Sequence, residues 1–152
     1  MPFNEIYNNR RVLVTGHTGF KGSWLCSWLL QMGAQVGGFS IDIPTVPSNF
    51  QTIDLIGRIQ HFEGDIRDRE ALSRVINTFD PEIIFHLAAQ SLVRRAYADP
   101  TLTFETNTLG TMNVLECIRQ RSSVKAGVII TSDKCYRNNE WLSGYRENDT
   151  LG

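Results

Sequence analysis

Apolar residues along this chain fall into short continuous runs that alternate with longer stretches of helical spacing. Val12-Leu13-Val14 leads into a glycine-rich turn, and the turn opens into Trp24-Leu25-Cys26-Ser27-Trp28-Leu29-Leu30. A brief apolar run bounded by turn residues reads as a buried strand, and the second segment is long enough for a helix. That helix runs through Met32 and stops at Gly33, which tolerates the left-handed conformation of a helix end. Gln35 to Ser40 reads as a second strand. Ile41 to Gly57 holds Pro44, Pro47 and Ser48-Asn49 and shows little period, so it reads mostly as loop, with a short helix around Phe50 to Ile56.

Farther on, Ile59 to Glu63 is a third strand leading into Gly64-Asp65. Asp68 can cap a helix in which Leu72, Val75, Ile76 and Phe79 recur at helical spacing and which Pro81 closes. Glu82 to Leu87 is a buried fourth strand. Asp99-Pro100, in the favoured order of cap then proline, starts a long helix that runs to about Gln120. Lys125 to Thr131 is a fifth strand, and the polar tail from Asn138 to Gly152 reads as irregular. Strands alternating with helices predict an α/β fold: a Rossmann-like, doubly wound parallel sheet, covered on both faces and ending after about five strands.

Composition narrows the class. The 152 residues suffice for one domain, taken here as residues 1–152, and are too few for two of ordinary size. Fifteen basic against 16 acidic side chains give a net charge of −1, which supplies no field for nucleic acid or anionic lipid. Cys26, Cys117 and Cys135 are odd in number and far apart, so neither a disulfide framework nor a zinc site is expected. No apolar run reaches the length of a signal-peptide core at the start or of a membrane span later. A soluble, cytoplasmic protein is the expectation.

Chemistry concentrates at the predicted strand ends. In Gly16-His17-Thr18-Gly19-Phe20-Lys21-Gly22, glycines sit between a strand and a helix, as a dinucleotide pyrophosphate requires. Gly16 would make the tight turn, Gly19 would admit the pyrophosphate and Gly22 would let the helix pack on the first strand. Three turn glycines of some other α/β protein are the competing reading. At the end of the second strand, where a carboxylate normally receives the adenosine ribose, Ser40 stands instead; Asp42 follows as a substitute or as a solvated loop residue. No basic residue lies between Ser40 and Gly57, so NAD is preferred to NADP.

Asp65-Ile66 suits a carboxylate facing the adenine amino group beside an apolar contact, and Asp65 reads equally well as a turn or cap residue. Ala88-Ala89 ends the fourth strand with small residues, either for the cofactor's passage or for close packing. Thr131-Ser132-Asp133-Lys134 places a hydroxyl, a carboxylate and an amine at the end of the fifth strand, the edge where parallel sheets collect ligands; a surface turn is the alternative. His17, His61 and His86 show no ligand spacing, and His86 reads as a satisfied core residue. Arg94-Arg95 suit a substrate diphosphate or an exposed helix start. Asn107, near Gly110-Thr111, suits either a mid-helix distortion with a backbone group to satisfy or a solvent-facing amide.

Taken together, Val14 to Trp24, His86-Leu87-Ala88-Ala89-Gln90, Asn107-Thr108-Leu109-Gly110-Thr111 and Ser132-Asp133-Lys134-Cys135-Tyr136 resemble the extended short-chain dehydrogenase/reductase family. Within it they resemble the sugar-nucleotide 4,6-dehydratases, and the likeness runs from about Arg11 to Gly152. The resemblance implies NAD as an internal hydride carrier: the hydroxyl at sugar carbon four is oxidised, water leaves across carbons five and six, and hydride returns to carbon six. It implies CDP-glucose as substrate and a homodimer or higher oligomer. It also implies that Phe20 and Lys21 lie near the pyrophosphate, Asp65 and Ile66 at the adenine, Ala88 and Ala89 near the cofactor's midpoint and Thr106 on the nicotinamide side. Ser132 would hold the carbon-four hydroxyl, Asp133 would protonate the leaving hydroxyl, and Lys134 would stand where relatives carry a glutamate base.

Family members carry a Tyr-x-x-x-Lys pair on the helix after the fifth strand, and none occurs here: Tyr136 is followed four positions on by Glu140, and Tyr145 by Asp149. The expectation is the amino-terminal part of such an enzyme, with little turnover alone. A dinucleotide-binding module without catalysis, a gene fragment, and a sister enzyme acting on another nucleotide sugar remain alternatives.

Overall fold

The computed structural model describes residues 2–152, the side chains of Pro2, Asn4 and Asp133 excepted. Five strands form one sheet: β1 (Arg11–Thr15), β2 (Gln35–Ser40), β3 (Gln60–Glu63), β4 (Ile83–His86) and β5 (Ala126–Ile129). Their spatial order is β3-β2-β1-β4-β5, and every neighbouring pair is parallel. The doubly wound α/β architecture expected from the alternation of strands and helices is therefore present.

Alternation along β1 divides the core. Val12 and Val14 face one side, where they meet Cys26 and Leu29 of α1 (Phe20–Gln31) and Phe50 of α2 (Asn49–Thr52). Leu13 faces the other side, with Leu72, Ile76 and Phe79 of α3 (Arg69–Phe79) and with Val114 and Cys117 of a helix farther along the chain. Both clusters are shielded from water at their centres: Val12, Leu13, Val14, Leu29 and Leu72 are fully buried. Burial pushes the Cys26 thiol up to about 12, so it serves as a small apolar core residue.

Local chemistry explains most boundaries. Gly33, at φ +81°, ends the chain's turn out of α1. The Asp68 carboxylate accepts from the Ala71 N–H at 3.0 Å and starts α3. Asp80, in the left-handed region at φ 50°, ends it ahead of Pro81. The helix expected over Phe50 to Ile56 is a single turn placed slightly earlier, since the Ser48 hydroxyl caps it through the Gln51 N–H and Asp54 leaves it at φ 47°.

Two features depart from the sequence reading. A short helix, α4 (Val93–Ala98), precedes the long one; it buries no residue, so no apolar period marked it. The long helix starts at Pro100 as expected, with the Asp99 carboxylate accepting from the Leu102 N–H at 3.0 Å. It then widens into a π-helical turn over Glu105–Gly110, between α5 (Pro100–Phe104) and α6 (Thr111–Arg119). Coverage of the sheet is also incomplete. Val128 and Ile130 at the β5 edge are 39% and 48% exposed, because β5 has a strand neighbour on one side only.

Candidate functional site

The order in which strands are added switches side between β1 and β4: β1 is followed by strands to one side of it, β4 by a strand to the other. Their carboxyl ends thus frame the crevice in which open parallel sheets bind ligands. Gly16 stands at this point with φ +73°, and a Cβ there would lie 2.7 Å from the Ala88 backbone N. Only a residue without a side chain fits. Gly22 is constrained in the same way, since its Cβ would strike the Gly16 carbonyl as α1 packs on the loop.

Gly19 differs from these two. Its φ is −69°, and the nearest protein atom to an added Cβ would be the Gly16 oxygen at 3.3 Å. That carbonyl oxygen is the one protein atom within 4 Å of the added Cβ, and the contact is tight for a side chain, which suits a bare backbone at the N-cap of α1. No side chain caps that helix end and no acidic residue occupies its first turn, so its leading N–H groups and positive dipole end suit an anion. Phe20 and Lys21 are exposed beside it.

Behind the crevice a buried polar chain joins three elements. The Ala88 N–H donates to Thr15 Oγ1 at 3.2 Å, Thr15 Oγ1 lies 2.6 Å from His86 Nδ1, and His86 Nε2 lies 2.9 Å from Thr111 Oγ1. A neutral His86 offers one ring N–H and one acceptor nitrogen, so it donates to one of these two hydroxyls and accepts from the other. Burial holds the His86 pKa down at about 4, so the ring stays neutral near pH 7. His86 is the satisfied core histidine expected. Asn107, within the π-turn, takes the β4 loop from the other side: its Oδ1 accepts from Gln90 N at 2.8 Å and its Nδ2 donates to Gln90 O at 2.9 Å. The mid-helix distortion and the backbone group that Asn107 satisfies are both present.

At the end of β2 the structure assembles a network that spacing did not reveal. His17 is fully buried, with Nδ1 2.8 Å from Ser40 Oγ and Nε2 2.7 Å from His61 Nδ1 on β3. Gly38 makes room for it, because a Cβ there would strike the imidazole. Burial first, and then the neighbouring His61, bring the His17 pKa down to about 4. Ser40 is therefore turned inward. Thr18 donates its hydroxyl to the Asp42 carbonyl at 2.6 Å, which leaves the exposed Asp42 carboxylate beside the glycine loop.

The remaining residues singled out in the sequence lie along the same sheet edge. Asp65, just after β3, is held by Arg67. Burial raises its pKa, but the hydrogen bonds and charge of Arg67 outweigh that and leave it below the usual carboxylate range. The Ile66 side chain is 4% exposed and sits in the core, and its carbonyl accepts from Asn113 Nδ2, so a ligand there can meet only its backbone N–H. Ala88 is half-buried, Ala89 exposed, and Thr106 half-buried within the π-turn. Ser132 accepts from the Lys134 N–H at 3.1 Å in a 3₁₀ turn beyond β5. The Asp133 side chain lies outside the described residues, and Lys134 is exposed. Among the described residues no group of three or more His, Cys, Asp or Glu is placed to hold a metal, and no helix is long and apolar enough to cross a membrane.

Comparison with known proteins matches this architecture. A family model described as GDP-mannose 4,6 dehydratase matches residues 13–147. Over 148 residues the chain is 53% identical to the CDP-glucose 4,6-dehydratase of Salmonella typhimurium, an alignment covering 97% of this chain and 41% of that protein. Among solved structures it is similar to a Thermus thermophilus UDP-glucose 4-epimerase in complex with NAD: TM-score 0.81, 30% identity, 93% of this chain and 44% of that one. It is likewise similar to a Bacillus anthracis dTDP-glucose 4,6-dehydratase in complex with NAD: TM-score 0.76, 25% identity, 94% of this chain and 44% of that one. The chain spans about two fifths of the length of the curated relative.

Proposed function

The chain belongs to the GDP-mannose 4,6-dehydratase family, and from that premise we propose that it binds NAD at the β1–β4 crevice as the cofactor-binding part of a CDP-glucose 4,6-dehydratase. The observation that carries this reading is the uncapped N-terminus of α1 at Gly19, where an added Cβ would press on the Gly16 carbonyl, framed by a Gly16 that the Ala88 backbone excludes from bearing a side chain. The 53% identity to a CDP-glucose 4,6-dehydratase supports the substrate.

When bound, NAD supplies a hydride acceptor and donor. The chain's own residues do the rest: the N–H groups at the start of α1 hold the pyrophosphate, with Phe20 and Lys21 beside it, and Gly16 and Gly22 bring the backbone close enough for that contact. Asp65 accepts from the adenine amino group, and the Ile66 backbone completes that contact. Ala88 and Ala89, with their small side chains, leave room for the cofactor's midpoint, and Thr106 lines the nicotinamide side. Ser132 orients the sugar's carbon-four hydroxyl, Asp133 protonates the hydroxyl that departs as water, and Lys134 takes the carbon-five proton.

That last role asks for an amine enclosed with its substrate, whereas Lys134 stands exposed. This observation, with the absence of any Tyr-x-x-x-Lys from the 152 residues, favours a second reading for the chain as it stands: dinucleotide binding without turnover. Pairing of the whole protein with itself is part of the proposal; Phe104, Met112 and Leu115 point outward along the long helix at 69%, 56% and 48% exposure. So is a cytoplasmic location, which suits a substrate made from nucleotides.

Calorimetric titration of the chain with NAD tests the site. Saturable binding by the parent chain and its loss in Gly19→Val, which puts a side chain at that helix end, are the expected results. Binding that survives Gly19→Val would place the cofactor elsewhere. Incubation with CDP-glucose and NAD should yield no 4-keto product; turnover abolished by Asp133→Asn would show that the chain suffices for catalysis.

A further inference from the structure

The turn after β3 is built around one guanidinium. Asp65 Oδ1 accepts from the Arg67 backbone N–H at 2.8 Å, and Oδ2 accepts from Arg67 Nε at 2.8 Å with the terminal nitrogen 2.6 Å away. The far end of the same guanidinium donates to Glu105 Oε2 at 3.1 Å, on the π-turn. The turn is also bolted to the long helix, since Asn113 Nδ2 donates to the Ile66 carbonyl at 3.0 Å and to the Arg67 carbonyl at 3.1 Å. Gly110 admits Ile66 by having no side chain.

Partly exposed ion pairs contribute little to folding, and the Arg67 side chain is 34% exposed. What the fork does is geometric. It fixes the plane of the Asp65 carboxylate, keeps it an acceptor on both oxygens, and leaves one lone pair of Oδ1 for an outside donor. A carboxylate held in this way welcomes an exocyclic amino group and repels a carbonyl oxygen in the same place. A carboxylate free to rotate or to take up a proton distinguishes the two poorly.

We infer that Arg67 is the positioning residue that makes Asp65 a reader of the purine 6-position, so that the site selects a 6-amino over a 6-oxo purine dinucleotide. This rests on the cofactor reading above. Glu105 extends the arrangement: it sets the direction of the fork from the helix that also carries Thr106 and Asn107, so purine recognition and the nicotinamide-side wall share one support.

The test is paired calorimetric titration of the full chain with NAD and with nicotinamide hypoxanthine dinucleotide, its 6-oxo analogue. The parent should prefer NAD by about tenfold, the effect of one hydrogen bond to a charged group. In Arg67→Met the preference should shrink to about twofold or less, since the charge-assisted contact is no longer aimed. Arg67→Lys, which keeps the charge without the planar fork and is the milder change for folding, should fall between the two. An unchanged ratio in both variants, with the two affinities falling together, would reduce Arg67 to a structural role and overturn the inference alone. Failure of the parent chain to bind either dinucleotide would overturn the cofactor reading, and the inference with it.

Discussion

His86 shows how one buried residue can tie the stability of the site to pH. Its ring bonds to the hydroxyls of Thr15 and Thr111, and burial keeps its pKa near 4 rather than the ordinary 6.5. Below pH 6.5 the unfolded chain takes up a proton at this position that the folded chain refuses until about pH 4. The stabilisation is therefore complete above 6.5 and is lost as the pH falls through that window, by about 3 kcal/mol at its lower end. His17, buried with a pKa also near 4, acts in the same direction. Thermal unfolding at pH 7 and pH 5 should show a clear loss at the lower pH, and His86→Gln, which cannot titrate, should lose part of that difference; an equal difference in the variant would mean that His86 is not responsible. Residues of this kind were unequally legible in the sequence. His86 was readable as a core residue because it lies within a continuous apolar strand. The pairing of His17 with His61 was not, because it depends on the register that brings Gly38 of β2 opposite His61 of β3, and no spacing along one chain reports a cross-strand register.

Elements were legible wherever their signal was local. The Asp68 and Asp99 caps, the Gly33 stop and the apolar runs of β1 and β4 lie where the residues place them, because each is decided by a few adjacent positions. α4 was not legible, as a six-residue helix that buries nothing has no period to show. The π-turn stands between these cases: Asn107 marked the place, but its partner, the Gln90 backbone, is distant in sequence. That turn exists for the contact it makes. A π-turn adds one residue to the helical repeat, and the Asn107 amide within it exchanges two hydrogen bonds with the backbone N–H and C=O of Gln90 in the β4 loop. Asn107→Ala should therefore lower stability by about 1–2 kcal/mol. More specifically, it should speed hydrogen exchange at the Gln90 amide while leaving α6 near Val114 protected. Uniformly faster exchange along α6 would instead mean that the amide supports the helix itself rather than the loop.

At the scale of the whole molecule, protection is unequal across the sheet, and the inequality predicts which part of the site is robust. Gly16 and Ala88 follow β1 and β4, which have strand neighbours on both sides and fully buried residues at Val12, Leu13, Val14 and Ile84. Ser132 and Lys134 follow β5, an edge strand with Val128 and Ile130 exposed, and they are exposed themselves. An unpaired strand edge flanked by apolar side chains is a template for association with another chain. The double variant Val128→Lys with Ile130→Lys puts like charges on that edge and removes no fully buried group. Sedimentation velocity should show less self-association than in the parent chain, and NAD affinity should be unchanged, because the glycine loop is anchored two strands away from the altered edge. An unchanged sedimentation profile would mean that the parent's association uses another face, such as that of Phe104 and Met112 on the long helix. A loss of NAD binding would mean that β5 supports the crevice through β4, and that the cofactor site depends on the edge of the sheet as much as on its centre.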